Sequence, residues 1–185
     1  LSFLQVSVPV MWFQNNAEDF LGLMLSWCER LKPHHGYGGI LVLDSPDRGL
    51  AQYYAPTIAA LAAKHPGLEI DRPMSHKMVT QFGIKGGNWF TILSTAFVEK
   101  LGGADALGKA LGEPFGVHRF DAGIIIVAGP KPEIGDRNRN IHTPNYKKLA
   151  EVLKPIRIHD HPKPYSKGRF AEDGPGPVPR IGSLH

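Results

Sequence analysis

The sequence predicts an α+β domain, and three observations carry that prediction. Two apolar runs, Ile40–Leu43 and Gly123–Ala128, are short enough for buried strands and rich in branched side chains. Elsewhere apolar residues recur at helical spacing, as in Phe20, Leu23, Met24, Trp27 and Leu31. Glycine (21) and proline (16) interrupt the 185 residues so often that long helices are not expected. The expected architecture is a single domain over residues 1–158. Its mixed or antiparallel central sheet is flanked by helices, and an extended Pro/Gly-rich tail follows over 159–185.

In chain order, Phe3–Met11 alternates loosely and reads as a strand, with Pro9 at an edge or end. Asn15 or Asn16 is placed to cap a helix that carries Glu18 and Asp19 in its first turn, and Lys32–Pro33 stops it. Gly36–Gly39 reads as a turn into Ile40–Leu43. A second helix covers Leu50–Ala63. Pro56 is expected to open its main stretch, after a first turn capped by Ser45 or Asp47. Residues 68–83 show no period and read as irregular.

Asn88–Leu93 is a strand, and Ser94 or Thr95 caps the helix running to Leu101. Ala104–Leu111 is a short helix, and Val117–Phe120 with Gly123–Ala128 form a hairpin. A polar loop from Gly129 to Pro144 leads to a last helix, Tyr146–Leu153, and an edge strand at Ile156–Ile158. Trp12–Phe13 and Trp89–Phe90 each precede helix, turn and apolar strand, a pattern that suggests two similar αβ halves.

Composition narrows the function classes. A net charge of +4 and a pI near 9.2 are mildly basic. Between Lys131 and Arg169 ten Lys and Arg face four acids. They do not show the aromatic–basic interleaving that marks a nucleic-acid platform, so direct nucleic-acid binding is not expected. Cys28, the one cysteine, follows an apolar run and reads as a buried thiol suited to a reducing compartment, which points to the cytoplasm. No apolar stretch reaches the length of a membrane span. The chain opens on Leu1 rather than methionine, so an N-terminal piece is expected to precede it.

Catalytic and cofactor motifs are wanting. His34–His35 are adjacent in a turn and are expected to point apart, and His159-x-His161 has no partners at hand for a metal. There is no Gly-x-Ser-x-Gly elbow and no Gly-x-Gly-x-x-Gly. Lys85-Gly86-Gly87-Asn88 lacks the ending of a phosphate loop. No enzyme, metal or cofactor is expected.

Three stretches carry a resemblance. They are Leu31-Lys32-Pro33-His34-His35-Gly36-Tyr37-Gly38-Gly39, Ile84-Lys85-Gly86-Gly87-Asn88-Trp89-Phe90-Thr91-Ile92-Leu93 continuing to Gly103, and Ala128-Gly129-Pro130-Lys131-Pro132-Glu133-Ile134-Gly135-Asp136-Arg137-Asn138. Together they resemble the bacterial type VI secretion immunity family that protects against VRR-NUC nuclease effectors. The resemblance implies a cytoplasmic antidote that binds a cognate toxin, a nuclease, and silences it. It departs at Gly87, where a bulkier apolar residue is expected.

Within these motifs Gly86, Gly87, Asn88, Trp89, Gly129, Pro130 and Gly135 are expected to hold the fold. Asp44, Asp47, Glu133, Asp136, Arg137 and Asn138, on loops beside buried strands, are the candidates for touching the partner. Two other readings stay open. One is a nucleic-acid-binding accessory protein using the basic C-terminal third, and the other is a small hydrolase with an unassembled site.

Overall fold

The computed structural model describes residues 3–42, 48–70, 80 and 82–158. Six α-helices and a four-stranded antiparallel sheet make up most of them. In order these are α1 (Val10–Asn15), α2 (Ala17–Leu31), β1 (His35–Gly38), β2 (Leu41–Val42), α3 (Arg48–Lys64) and β3 (Glu69–Ile70). There follow β4 (Phe90–Ser94), α4 (Thr95–Lys100), α5 (Ala104–Leu111), β5 (Phe115–Phe120), β6 (Gly123–Ala128) and α6 (Pro144–Val152). The large sheet runs β1-β4-β6-β5, and β2 pairs in parallel with β3 in a separate two-stranded sheet. The α+β expectation holds.

Alternation along each strand sorts the large sheet into two faces. Register aligns Gly38, Phe90, Val127 and Gly116 in one row and Gly36, Ile92, Ile125 and His118 in another. This face packs under α1 and α2, where Phe20 lies 5.7 Å from Phe90 and Phe13 lies 4.8 Å from Trp89 between ring centroids. The opposite face carries Tyr37, Thr91, Ile126 and Val117 beside His35, Leu93, Ile124 and Arg119. There α4 presents Phe97, whose ring sits 6.3 Å from that of His35. Covered on both sides, Leu93, Ile125 and Ile126 are 0% exposed. Each such side chain contributes about 1.5–3 kcal/mol of burial.

Several expectations are overturned. Ile40–Leu43 does not join Gly123–Ala128: Leu41–Val42 lies half-buried in the small sheet, and Leu43 falls outside the described residues. The place beside β4 is taken instead by His35–Gly38, which read as part of a turn. Gly36 lies close against the neighbouring strand, where a Cβ would stand 3.0 Å from Ile92 Cδ1. The segment 68–83 is not wholly irregular, since Glu69–Ile70 pairs with β2 after the α3 crossover that parallel strands need.

Phe3–Met11 is not a strand; α1 starts at Val10, and Phe3, Leu4, Val6 and Val8 are exposed. Trp12–Phe13 is therefore helical where Trp89–Phe90 enters a strand, and the two halves are not alike. Pro56 lies inside α3 rather than at its start. Ile156–Ile158 forms a single bridge, Ile84 to Arg157, after a 3-10 turn at Lys154–Ile156. Asn16 precedes α2 without a side-chain cap, and its side-chain Nδ2 donates to Trp12 O at 2.7 Å. His34 and His35 do not diverge: both rings reach Phe97. The suggested caps Ser45 and Asp47, and the tail 159–185, lie outside the described residues.

Candidate partner-binding surface

The loop after β6 is polar and glycine-containing, so its own chemistry must hold it. Gly129 ends the strand at φ +89, and a Cβ there would come within 2.7 Å of Asn145 Nδ2. Trp89, 4% exposed, locks the start of the loop, its indole Nε1 donating to Gly129 O at 2.8 Å. Further on, Glu133 caps α6. Its Oε2 accepts from the Asn145 and Tyr146 amides at 3.1 and 3.4 Å, while Thr143, the residue before the helix, makes no side-chain cap. A carboxylate at this end also complements the helix dipole. The Glu133 amide in turn donates to the Tyr146 hydroxyl at 3.2 Å. Burial, chiefly, pushes that phenol up to about 12.

The end of α3 clasps the same loop. His65 Nδ1 donates to Gly135 O at 2.7 Å, and the Gly67 amide donates to Ile134 O at 2.8 Å. A Cβ on Gly67 would collide with the Glu133 carbonyl. Gly135, at φ +70, is squeezed between Pro66 and Thr143. Asp136 and Ile141 then exchange two 2.9 Å backbone bonds and close a small ring. Inside it Asp136 Oδ1 accepts from the Asn138 and Arg139 amides at 2.9 and 3.3 Å, with Lys64 Nζ 3.7 Å from Oδ2. Burial opposes ionisation of Asp136, but the Asn138 amide, Lys64, the Arg139 amide and His65 outweigh it and hold the carboxyl below 3.8. The ring displays Arg137, Asn138, Arg139, Asn140 and Ile141 to solvent.

A second cluster ties the two sheets together. Asn88 Nδ2 donates to Glu69 Oε2 at 3.0 Å, its Oδ1 accepts from the Trp89 amide at 2.7 Å, and its own amide donates to Thr91 Oγ1 at 3.0 Å. Lys85 pairs with the other oxygen of Glu69, donates to Ile70 O at 2.9 Å, and lies over the Tyr37 ring at 5.4 Å. Gly87 has no room for the bulkier residue the family pattern suggests, since a Cβ would stand 2.6 Å from Leu149 Cγ.

The sequence-derived candidates therefore fall into three groups. Glu133 and Asp136 engage their carboxylates within the fold, and Arg137 and Asn138 stand exposed at the tip of the ring beside them. Asp44 and Asp47 lie outside the described residues. Of the motif residues, Gly87, Asn88, Trp89, Gly129 and Gly135 occupy positions their chemistry requires. Gly86 meets nothing within 4 Å and Pro130 is exposed. Lys64 and His65 carry no sequence signal that marks them for this role. Among the described residues no three His, Cys, Asp or Glu side chains gather as metal ligands, and no helix is long and apolar enough to cross a membrane.

The architecture is that of an α+β scaffold displaying a braced polar loop. Residues 1–173 match the family model described as "Type VI immunity for VRR-NUC", and the chain belongs to that family. Among solved structures it is similar to the T6SS protein PA0821 of Pseudomonas aeruginosa, with 31% identity and a TM-score of 0.74. The match covers 82% of this chain but only 43% of that one, so the chain spans less than half the length of its structural relative. A search among curated proteins finds no match.

Proposed function

We propose that this chain binds a VRR-NUC nuclease effector of type VI secretion and neutralises it in the cytoplasm by direct, stoichiometric contact, without turnover of its own. Membership of the immunity family is the observation that carries the reading. The braced loop supports it. Arg137, Asn138 and Ile141 are presented from a ring closed by backbone bonds, so little ordering cost is left to binding. In this reading Glu133 and Asp136 act by holding that loop, and Asp44 and Asp47 remain candidates for the contact.

The test is co-expression with the neighbouring effector gene, followed by pull-down. Surviving cells and a recovered complex are expected; cells that die, with no complex recovered, defeat the proposal. An antidote of this kind needs nanomolar affinity or better, over an interface of about 1,600 Å².

A further inference from the structure

The β5 edge of the large sheet has no strand beside it among the described residues. Which of its backbone groups are open follows from the hairpin. Phe120 and Gly123 close a two-residue loop, so they form a hydrogen-bonded pair, and hydrogen-bonded pairs recur at every second position. Phe120, His118 and Gly116 thus direct their backbone groups to β6, while Phe115, Val117 and Arg119 direct theirs outward. The Phe115 amide agrees, donating away from β6 to Gly112 O at 3.0 Å. Val117 and Arg119 are left with outward N–H and C=O groups.

The same two residues line a groove. Their side chains share the face covered by α5. Between strand and helix lies an open cleft of roughly 560 Å³, lined by Ala104, Asp105, Gly108, Lys109, Val117 and Arg119. A smaller hollow of roughly 200 Å³ extends it past Ala104 and Arg119 towards the hairpin turn. Nothing stands within 4 Å of a Cβ built on Gly108. Lys109 and Arg119 give the cleft two cations against Asp105, which pairs with Arg119 at 2.7 Å and whose side chain is 91% exposed. An edge with free backbone groups beside a groove that accepts side chains is the arrangement used for strand addition.

We propose that an extended segment of the nuclease effector adds to β5 as a fifth strand. It carries a small apolar residue over Val117 and a carboxylate two positions away, facing Lys109 and Arg119. The proposal rests on the immunity reading above and names one of its contacts. Main-chain bonds at Val117 and Arg119 supply the docking, and the excess positive charge of the groove selects an acidic segment.

The experiment measures affinity of the purified chain for the effector encoded beside it, with three variants. Gly108→Leu projects into the groove from a Cβ position with nothing within 4 Å and replaces a helix-interior glycine, so its melting temperature is expected to stay level or rise. Val117→Pro removes one outward N–H and leaves the bonds to β6 in place. Lys109→Glu reverses a charge on the groove wall. Each is expected to weaken binding at least ~10-fold, a loss of ~1.4 kcal/mol or more.

Wild-type affinity in a folded Gly108→Leu protein overturns strand addition while leaving the immunity reading intact, whatever Val117→Pro does to folding. A wild-type chain that does not bind the effector overturns both. Self-association abolished by Gly108→Leu assigns the edge to a second copy and overturns the effector as occupant.

Discussion

Asn88 and Glu69 are joined by a 3.0 Å hydrogen bond that links the approach to the large sheet with the small one. Both residues are polar, yet Asn88 is only 4% exposed, and every polar group of its side chain and amide has a partner. Buried polar networks of this kind stabilise only while complete. Asn88→Ala strands the Trp89 amide and one Glu69 oxygen. We expect a loss of about 2 kcal/mol in urea unfolding; a loss below about 0.5 kcal/mol contradicts the linking role.

Ile125 is 0% exposed, at the centre of β6, with β4 and β5 on either side. Ile125→Asp places an unpaired charge there and should cost more than about 4 kcal/mol, whereas Ile125→Val costs about 1. A melting temperature unchanged by the aspartate contradicts this packing.

Gly87→Val sets a branched side chain against Leu149, itself 0% exposed, so the Cγ atom 2.6 Å from the new Cβ has little space to yield. A destabilisation of about 1–3 kcal/mol is expected from overpacking. Denaturant midpoints of the two proteins decide it, and a stabilised variant shows that the helix moves aside.

Asp136 makes stability depend on acid. Its folded-state carboxyl titrates below the ordinary 3.8, so its contribution is fully present above that value and is lost as pH falls through the lower folded value. Urea midpoints between pH 5 and pH 2 should therefore fall more steeply for the wild type than for Asp136→Asn. Parallel curves argue against the carboxylate as the keystone of the ring.

Cys28 is 2% exposed, and burial, with Glu29 nearby, pushes its thiol up to about 11. The thiolate is the reactive form, so the native protein should resist an aromatic disulfide reagent at pH 7.5 and react quickly in denaturant. Equal rates in both conditions show that the α2 packing opens freely.

Local patterns in the sequence were good guides to helices and to the hairpin. The spacing of Phe20, Met24 and Leu31 marks α2, and Ala104–Leu111 coincides with α5. What it concealed depends on partners distant in the chain. Gly36 and Gly38 look like turn residues until Ile92 and Phe90 are laid beside them. Leu41–Val42 is apolar enough for the main sheet, yet it pairs with Glu69–Ile70 through the α3 crossover. Glu133 and Asp136 read as display acids because nothing local shows that a helix amide or Lys64 waits for them. Family motifs supplied the functional class, while the β5 groove left no sequence signal beyond the hairpin itself.

The ring that Asp136 closes has an evolutionary corollary. Its bracing comes from the Asp136 carboxylate, from backbone groups of Ile134, Gly135 and Ile141, and from the α3 end at Lys64, His65 and Gly67. Arg137 and Asn138 contribute to it through their main chains, and Asn140 needs only to tolerate φ +54. The tip can therefore exchange side chains at small folding expense, which makes it an adaptable cassette on a fixed chassis. In the reading proposed above, an antidote that must keep pace with a changing toxin can revise its recognition there while the core sequence stands still.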